Sequence, residues 1–274
     1  MEQMFDKLTD SISANVPHSD SEYMGEDGLL HCSVCHKAVQ FRAEFAGIKK
    51  IVRCICDCKR KELEEYENRK KQEEIERMRR ICFEEANMAN WNFANDDRQN
   101  ARISDAMQRY VENFPEFRRE GKGLLLYGTV GTGKSYHAAC IANALIDRGY
   151  SCLMTNFARL TNKIQGMFEG KQEYIDSLNK YSLLIIDDLG VERKTEYMAE
   201  QVYNIIDARY RSGLPFIITT NLTWEELTKP SEIAYSRIYD RVVERCFPVE
   251  VTGISRRRQN VKDTFADVRS KLGL

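Results

Sequence analysis

Residues 128–135 read Gly-Thr-Val-Gly-Thr-Gly-Lys-Ser, a complete G-x-x-x-x-G-K-[ST] run, and few eight-residue stretches restrict a fold so strongly. Such a run works only as the turn between a buried strand and a helix. Its glycines let successive amide N–H groups point inward around phosphate, and the helix presents its positive end to the same place. The flanks supply both elements: GLLLYG at 123–128 is a short apolar strand, and 135–148 carries Ala138, Ala139, Ile141, Ala142 and Leu145 at helical spacing. A phosphate-binding loop is therefore expected. Gly128, Thr129, Val130, Gly131, Thr132 and Gly133 would line it, Lys134 would reach the β- and γ-phosphates, and the Ser135 hydroxyl would ligate Mg²⁺.

The chain beyond the loop alternates strands and helices: a strand at 151–155, a helical segment at 157–168, the strand LLIID at 183–187, a long helix near 196–211 and the strand PFIITT at 215–220. Apolar strands separated by helices imply a parallel sheet covered on both faces. The run 183–188 carries two acids, Asp187 and Asp188, to the edge of the sheet where open α/β folds bind ligands. Asp187 is read as the Mg²⁺ partner, and Asp188 as the group that orients or deprotonates the attacking water. Asn221 ends the strand 215–220 and offers an amide to that water or to the γ-phosphate.

Composition divides the chain into three regions, expected as an N-terminal module at 1–58, a charged helical linker at 59–84 and a nucleotide-binding domain at 85–274. The tract KRKELEEYENRKKQEEIERMRR at 59–80 is built from strong helix formers without Pro or Gly. The first region starts like a helix, with Met4, Phe5, Leu8 and Ile12, and then concentrates five of the nine cysteines. Cys32-Ser33-Val34-Cys35 is a C-x-x-C knuckle, followed after 18 residues by Cys54, Cys56 and Cys58. Four thiolates at that density suit a structural zinc, which supplies folding free energy that so small a region lacks. The irregular second half leaves open which two of its three cysteines bind, with His31 and His36 as further candidates. Cys82, Cys140, Cys152 and Cys246 are isolated and read as small apolar residues.

The formal net charge of −1 excludes coating of nucleic acid by bulk charge, so any DNA contact must be local. Phe157, Phe168 and Tyr174 are the aromatic candidates for stacking on bases. No run of eighteen apolar residues occurs, and MEQMFDKLTD lacks the layout of a signal peptide, so a soluble cytoplasmic protein without a membrane segment is expected.

The phosphate loop, IIDDLG at 185–190, ITTN at 218–221 and the later Ser236-Arg237…Asp240-Arg241 together resemble the DnaC/DnaI/IstB branch of AAA+ ATPases, over roughly residues 85–260. That resemblance implies ATP as the nucleotide and Asn221 as sensor 1. It implies Arg241 as an arginine finger reaching the γ-phosphate of a neighbouring subunit, and Arg257 as sensor 2, with Arg256 as its one-residue alternative. Only 17 residues follow Arg257, too few for the helical lid of many AAA+ proteins, so slow, switch-like turnover is expected. An N-terminal zinc module, a charged helix and a DnaC-like ATPase in this order look like the layout of DnaI-type replicative helicase loaders. The likeness implies a hexameric helicase as partner, a homo-oligomer assembled on it, and contact with single-stranded DNA. The rival reading within the same branch is an IstB-like transposition helper acting on duplex DNA.

Overall fold

Apolar runs of four or five residues become the strands of one parallel sheet, and the period of two along each strand decides what covers it. The computed structural model describes residues 2–16, 21–45, 47–190, 195–230, 232–256, 261, 265 and 268–272, apart from the side chains of residues 2–6, 8 and 12. The chain falls into two units, Met1–Glu74 and Ile75–Leu274.

In the first unit, α1 (Glu2–Asn15) is followed by two antiparallel hairpins, β1 (Glu22–Met24) with β2 (Leu30–Cys32) and β3 (Gln40–Phe45) with β4 (Ile48–Arg53). Neither hairpin was foreseen, because strands of three to six residues without apolar alternation leave little signal. Arg53 N–H donates to Ser13 Oγ at 3.2 Å and Lys50 Nζ pairs with Asp10 at 3.2 Å, which fastens α1 along β4. The small core is Cys32, Val39 and Cys56, with Leu30, Cys35 and Cys58 packed against it. The charged tract lies in α2 (Asp57–Cys82), whose buried residues are Ile75 and Cys82.

The second unit runs α3 (Ala101–Glu112), α4 (Phe114–Glu120), β5 (Gly123–Tyr127), α5 (Lys134–Asp147), β6 (Cys152–Asn156), α6 (Phe157–Gln165) and α7 (Lys171–Ser177). It continues through β7 (Leu183–Leu189), α8 (Glu196–Ser212), β8 (Phe216–Thr220), α9 (Trp224–Thr228), α10 (Ile233–Arg245) and β9 (Cys246–Glu250). The strands lie in the order β6-β7-β8-β5-β9, every neighbouring pair parallel. Leu124, Leu126, Ile185 and Ile217 join the core that holds α3 and α5, whereas Leu125, Leu184, Ile186, Phe216 and Ile218 join the one that holds α6, α8 and α10. Continuous apolar strands are thus required by burial on both faces. The chain leaves β5 for the far edge and returns through β7 and β8, so the strand order reverses between β5 and β8. The C-terminal ends of the strands at such a reversal are the place where doubly wound sheets bind ligands. Buried Arg209 on α8 donates to the carbonyls of Tyr181, Ser182 and Pro215, tying together the entries of β7 and β8. The edge strand β9 has no counterpart in the sequence reading, since Phe247 is exposed and Pro248 interrupts its pattern.

Candidate nucleotide site and thiol cluster

The loop after β5 turns on glycines with positive φ, Gly131 at 87° and Gly133 at 99°, a region costly for residues with a side chain. At Gly131 a Cβ would also lie 2.2 Å from Ser255 Oγ, because residues 251–256 fold back across the loop. Val251 N–H donates to the Tyr127 carbonyl at 2.8 Å, and Arg256 N–H to the Gly131 carbonyl at 3.0 Å.

Lys134, 5% exposed, donates to the carbonyls of Gly128 at 2.9 Å and Thr129 at 2.8 Å and to Asn221 Oδ1 at 2.7 Å. These are neutral acceptors that phosphate oxygens can replace. Asn221 stands just past β8, the neighbour of β5, so the strand reversal itself brings the amide to the loop lysine. Ser135 Oγ donates to Asp187 Oδ1 at 2.8 Å, and Thr219 Oγ1 donates to the same oxygen. Burial pushes the Asp187 carboxyl above its usual range, against the pull of the Thr219 and Ser135 hydroxyls. A half-buried carboxylate beside a serine hydroxyl is the oxygen donor set that Mg²⁺ prefers, and a cation there would offset the burial that disfavours the charge.

Asp188 has φ of 57° and is exposed, in a bulge where β7 slips relative to β8 between Ile186 and Leu189. The bulge breaks the alternation of β7 at Asp188 and leaves it exposed beside the half-buried Asp187.

The three arginines have different surroundings. Arg241 Nε donates to Asp207 Oδ1 at 2.8 Å, and its Nη2 to Tyr203 Oη at 2.8 Å. Arg211 Nε holds the other Asp207 oxygen at 2.8 Å. Arg256 pairs with Asp97 at 2.7 Å, with Asp96 3.8 Å away. Arg257 lies outside the described residues. Sequence reasoning missed the Arg256–Asp97 tie and Thr219; their partners are 159 and 32 residues away, and no local pattern marks them. Of the aromatic candidates for stacking, Phe157 belongs to the core, Phe168 is fully exposed, and Tyr174 lies beneath Lys163 Nζ at 4.5 Å.

In the first unit, Cys32, Cys35, Cys56 and Cys58 bring their sulfurs within 4.8 Å of one another. Cys58 Sγ lies 3.4 Å from Cys32, 3.1 Å from Cys56 and 3.6 Å from Cys35. Zinc–sulfur bonds of about 2.3 Å give a tetrahedron with edges of about 3.8 Å, so the donor set fits. The amides of Cys35 and Val34 hold the Cys32 thiol down to about 6, whereas the surrounding thiols, Cys56 first, push Cys58 up to about 12. Crowding resists a fourth thiolate, and a divalent cation relieves it. Cys54 is outside the group, its thiol directed at the Ala38 carbonyl at 3.6 Å. His31 is engaged with Asp27 at 3.0 Å and with the His36 carbonyl at 3.0 Å.

Residues 49–264 match the family of IstB-like ATP binding proteins. The replicative helicase loader DnaI of Bacillus subtilis (strain 168) is 26% identical over 178 residues, covering 58% of this chain and 57% of DnaI. The replicative helicase loader DnaC of Escherichia coli (strain K12) is 32% identical over 144 residues, covering 51% of this chain and 56% of DnaC. The chain spans little more than half the length of the curated relatives it matches. The crystal structure of DnaI is similar with a TM-score of 0.54 and 26% identity, covering 66% of this chain and 99% of that one.

Proposed function

The chain belongs to the family of IstB-like ATP binding proteins, and on that premise we propose that it is an ATP-controlled loader delivering a replicative hexameric DNA helicase to single-stranded DNA. The observation that carries this reading is the pairing, in one chain, of a complete phosphate loop at Lys134 with a separate four-thiol unit. In this scheme residues 1–58 are a zinc-bearing module that grips the helicase, 59–84 a helical linker, and 85–274 the ATPase. The likeness to two replicative helicase loaders supports the scheme, and the family itself keeps a transposition helper as the rival. Copurification decides between them. The full chain with ATP should retain a replicative helicase, and retention of a transposase without any helicase overturns the loader reading.

At the site, Lys134 exchanges its carbonyl partners for β- and γ-phosphate oxygens, and the amides of residues 128–133 surround the phosphates. Mg²⁺ held by Ser135 Oγ and Asp187 would neutralise charge building on the β/γ bridge. Asn221, released by Lys134, turns its amide to the γ-phosphate or the attacking water, which Asp188 orients. Arg241 supplies a neighbour's site with a guanidinium for the spreading charge. Arg256 or Arg257 serves the same subunit's phosphates, and the slow turnover acts as a release switch. Asp188→Asn should keep ATP bound and lower turnover by about tenfold or more, as loss of a positioned base does. Asp187→Asn should instead weaken binding of a fluorescent ATP analogue in Mg²⁺ and leave it unchanged in EDTA. Normal hydrolysis by both variants would remove these two assignments.

A further inference from the structure

Two acids of β7 face a single residue of β8. The ladder pairs Ile186 with Ile218 and Leu189 with Thr220, so Asp187 and Asp188 share Thr219 between them. A bulge of two residues against one leaves an amide without its regular acceptor, and a partly buried amide cannot remain so cheaply. Thr219 supplies what the ladder lost. Its Oγ1 accepts from Asp188 N–H at 3.0 Å and donates its own proton to Asp187 Oδ1.

The side chain is fully buried, and a β-branched residue in a strand has few rotamers, so the backbone of β8 sets the direction of this hydroxyl. One oxygen therefore touches both acids, one through the carboxylate and the other through the amide. The next residues extend the same arrangement. Thr220 Oγ1 donates to the Leu189 carbonyl at 2.7 Å and closes the far side of the bulge, and Asn221 meets Lys134 at 2.7 Å. The end of β8 thus spans the site from the acids to the loop lysine. Packing alone does not require a hydroxyl at position 219. Valine has the same shape and would fill the same space, but would leave the Asp188 amide unsatisfied and Asp187 short of one donor.

We propose that Thr219 is a positioning residue of the ATP site, whose single hydroxyl aims the Asp187 carboxylate at Ser135 and holds Asp188 in its left-handed conformation. The proposal rests on the reading of these acids as the Mg²⁺ partner and the water-orienting group. Thr219 acts through them, by its contacts with the Asp187 carboxylate and the Asp188 amide.

The test compares Thr219→Val, Thr219→Ser and Thr220→Val in the full chain. Steady-state ATPase is measured together with equilibrium binding of a fluorescent ATP analogue in Mg²⁺ and in EDTA, and with thermal unfolding. Thr219→Val should lower kcat by about tenfold, the scale of one hydrogen bond to a charged group. The gain in analogue affinity that Mg²⁺ confers should shrink severalfold, with affinity in EDTA unchanged. Thr219→Ser should recover both to within about threefold, because the hydroxyl returns. Thr220→Val, which removes a buried hydroxyl of the same strand that touches neither acid, should leave the Mg²⁺ gain intact. Should the valine chain not fold, Thr219→Ala removes the same hydroxyl and takes its place. The proposal is overturned if Thr219→Val keeps both kcat and the Mg²⁺ gain, if serine fails to rescue, or if Thr220→Val loses the Mg²⁺ gain equally. A wild-type chain that binds the analogue with no Mg²⁺ gain overturns the underlying assignment of the acids instead, and the proposal with it.

Discussion

Lys134→Ala is expected to lower ATP affinity by at least about a hundredfold while the chain still folds. The ammonium is the one side-chain cation of the loop, and charge-assisted hydrogen bonds to two phosphates are worth roughly 3 kcal/mol or more, which is about that factor in Kd. The fold should survive because the Lys134 head group meets loop carbonyls and Asn221, whereas the sheet is held by the two apolar cores on its faces. Titration with a fluorescent ATP analogue reads the loss, and an unchanged melting temperature separates it from unfolding. Undiminished binding would sink the site as described.

The same variant serves to test Arg241. To reach a neighbour, Arg241 must leave Asp207 and Tyr203, and Arg211 already holds the other Asp207 oxygen, so the acid keeps a partner when it goes. Arg241→Ala should lower ATPase activity by up to about 10³-fold with ATP still bound, the scale of an arginine finger. If the chain assembles on a helicase as proposed, Arg241→Ala and Lys134→Ala subunits mixed there should regain activity, since some pairs rebuild one complete site. A mixture as inactive as its components, both still bound to the helicase, would show that Arg241 does not act in trans.

The second large effect concerns the thiols. The purified chain should carry about one zinc, and Cys32→Ser or Cys56→Ser should release it and unfold the first unit, because those two cysteines and Val39 form its buried cluster. Two-stranded hairpins do not hold together in water without such a staple. Cys54→Ser should keep the metal, since a serine hydroxyl can still donate to the Ala38 carbonyl. Elemental analysis counts the zinc, and loss of structure on chelation with ATP binding retained would show that the metal serves the first unit alone. Zinc content unchanged in Cys56→Ser, or lost in Cys54→Ser, contradicts the cluster drawn here.

What the sequence by itself determined is local. The phosphate loop is legible because left-handed glycines, a buried strand before them and a helix after them all fall within about thirty residues. LLIID and PFIITT are legible because burial on both faces gives the unbroken apolar runs 183–186 and 215–218 ahead of the polar residues that lead to Asp187 and Asn221. The thiol knuckle at 32–35 is legible because its two cysteines stand at C-x-x-C spacing within four residues. Only the tertiary structure decided the pairings that span 26 to 159 residues: Cys56 and Cys58 over Cys54, Arg241 on Asp207, Arg256 on Asp97, and Thr219 between two acids. The thiols follow from the hairpins of the first unit and Thr219 from the bulge in β7, whereas Arg241 meets Asp207 because α10 packs on α8, and Arg256 meets Asp97 because residues 251–256 fold back across the phosphate loop. In the strands a slip of one residue turns a side chain to the opposite face, and no local pattern in the chain records which register or which helix packing is adopted.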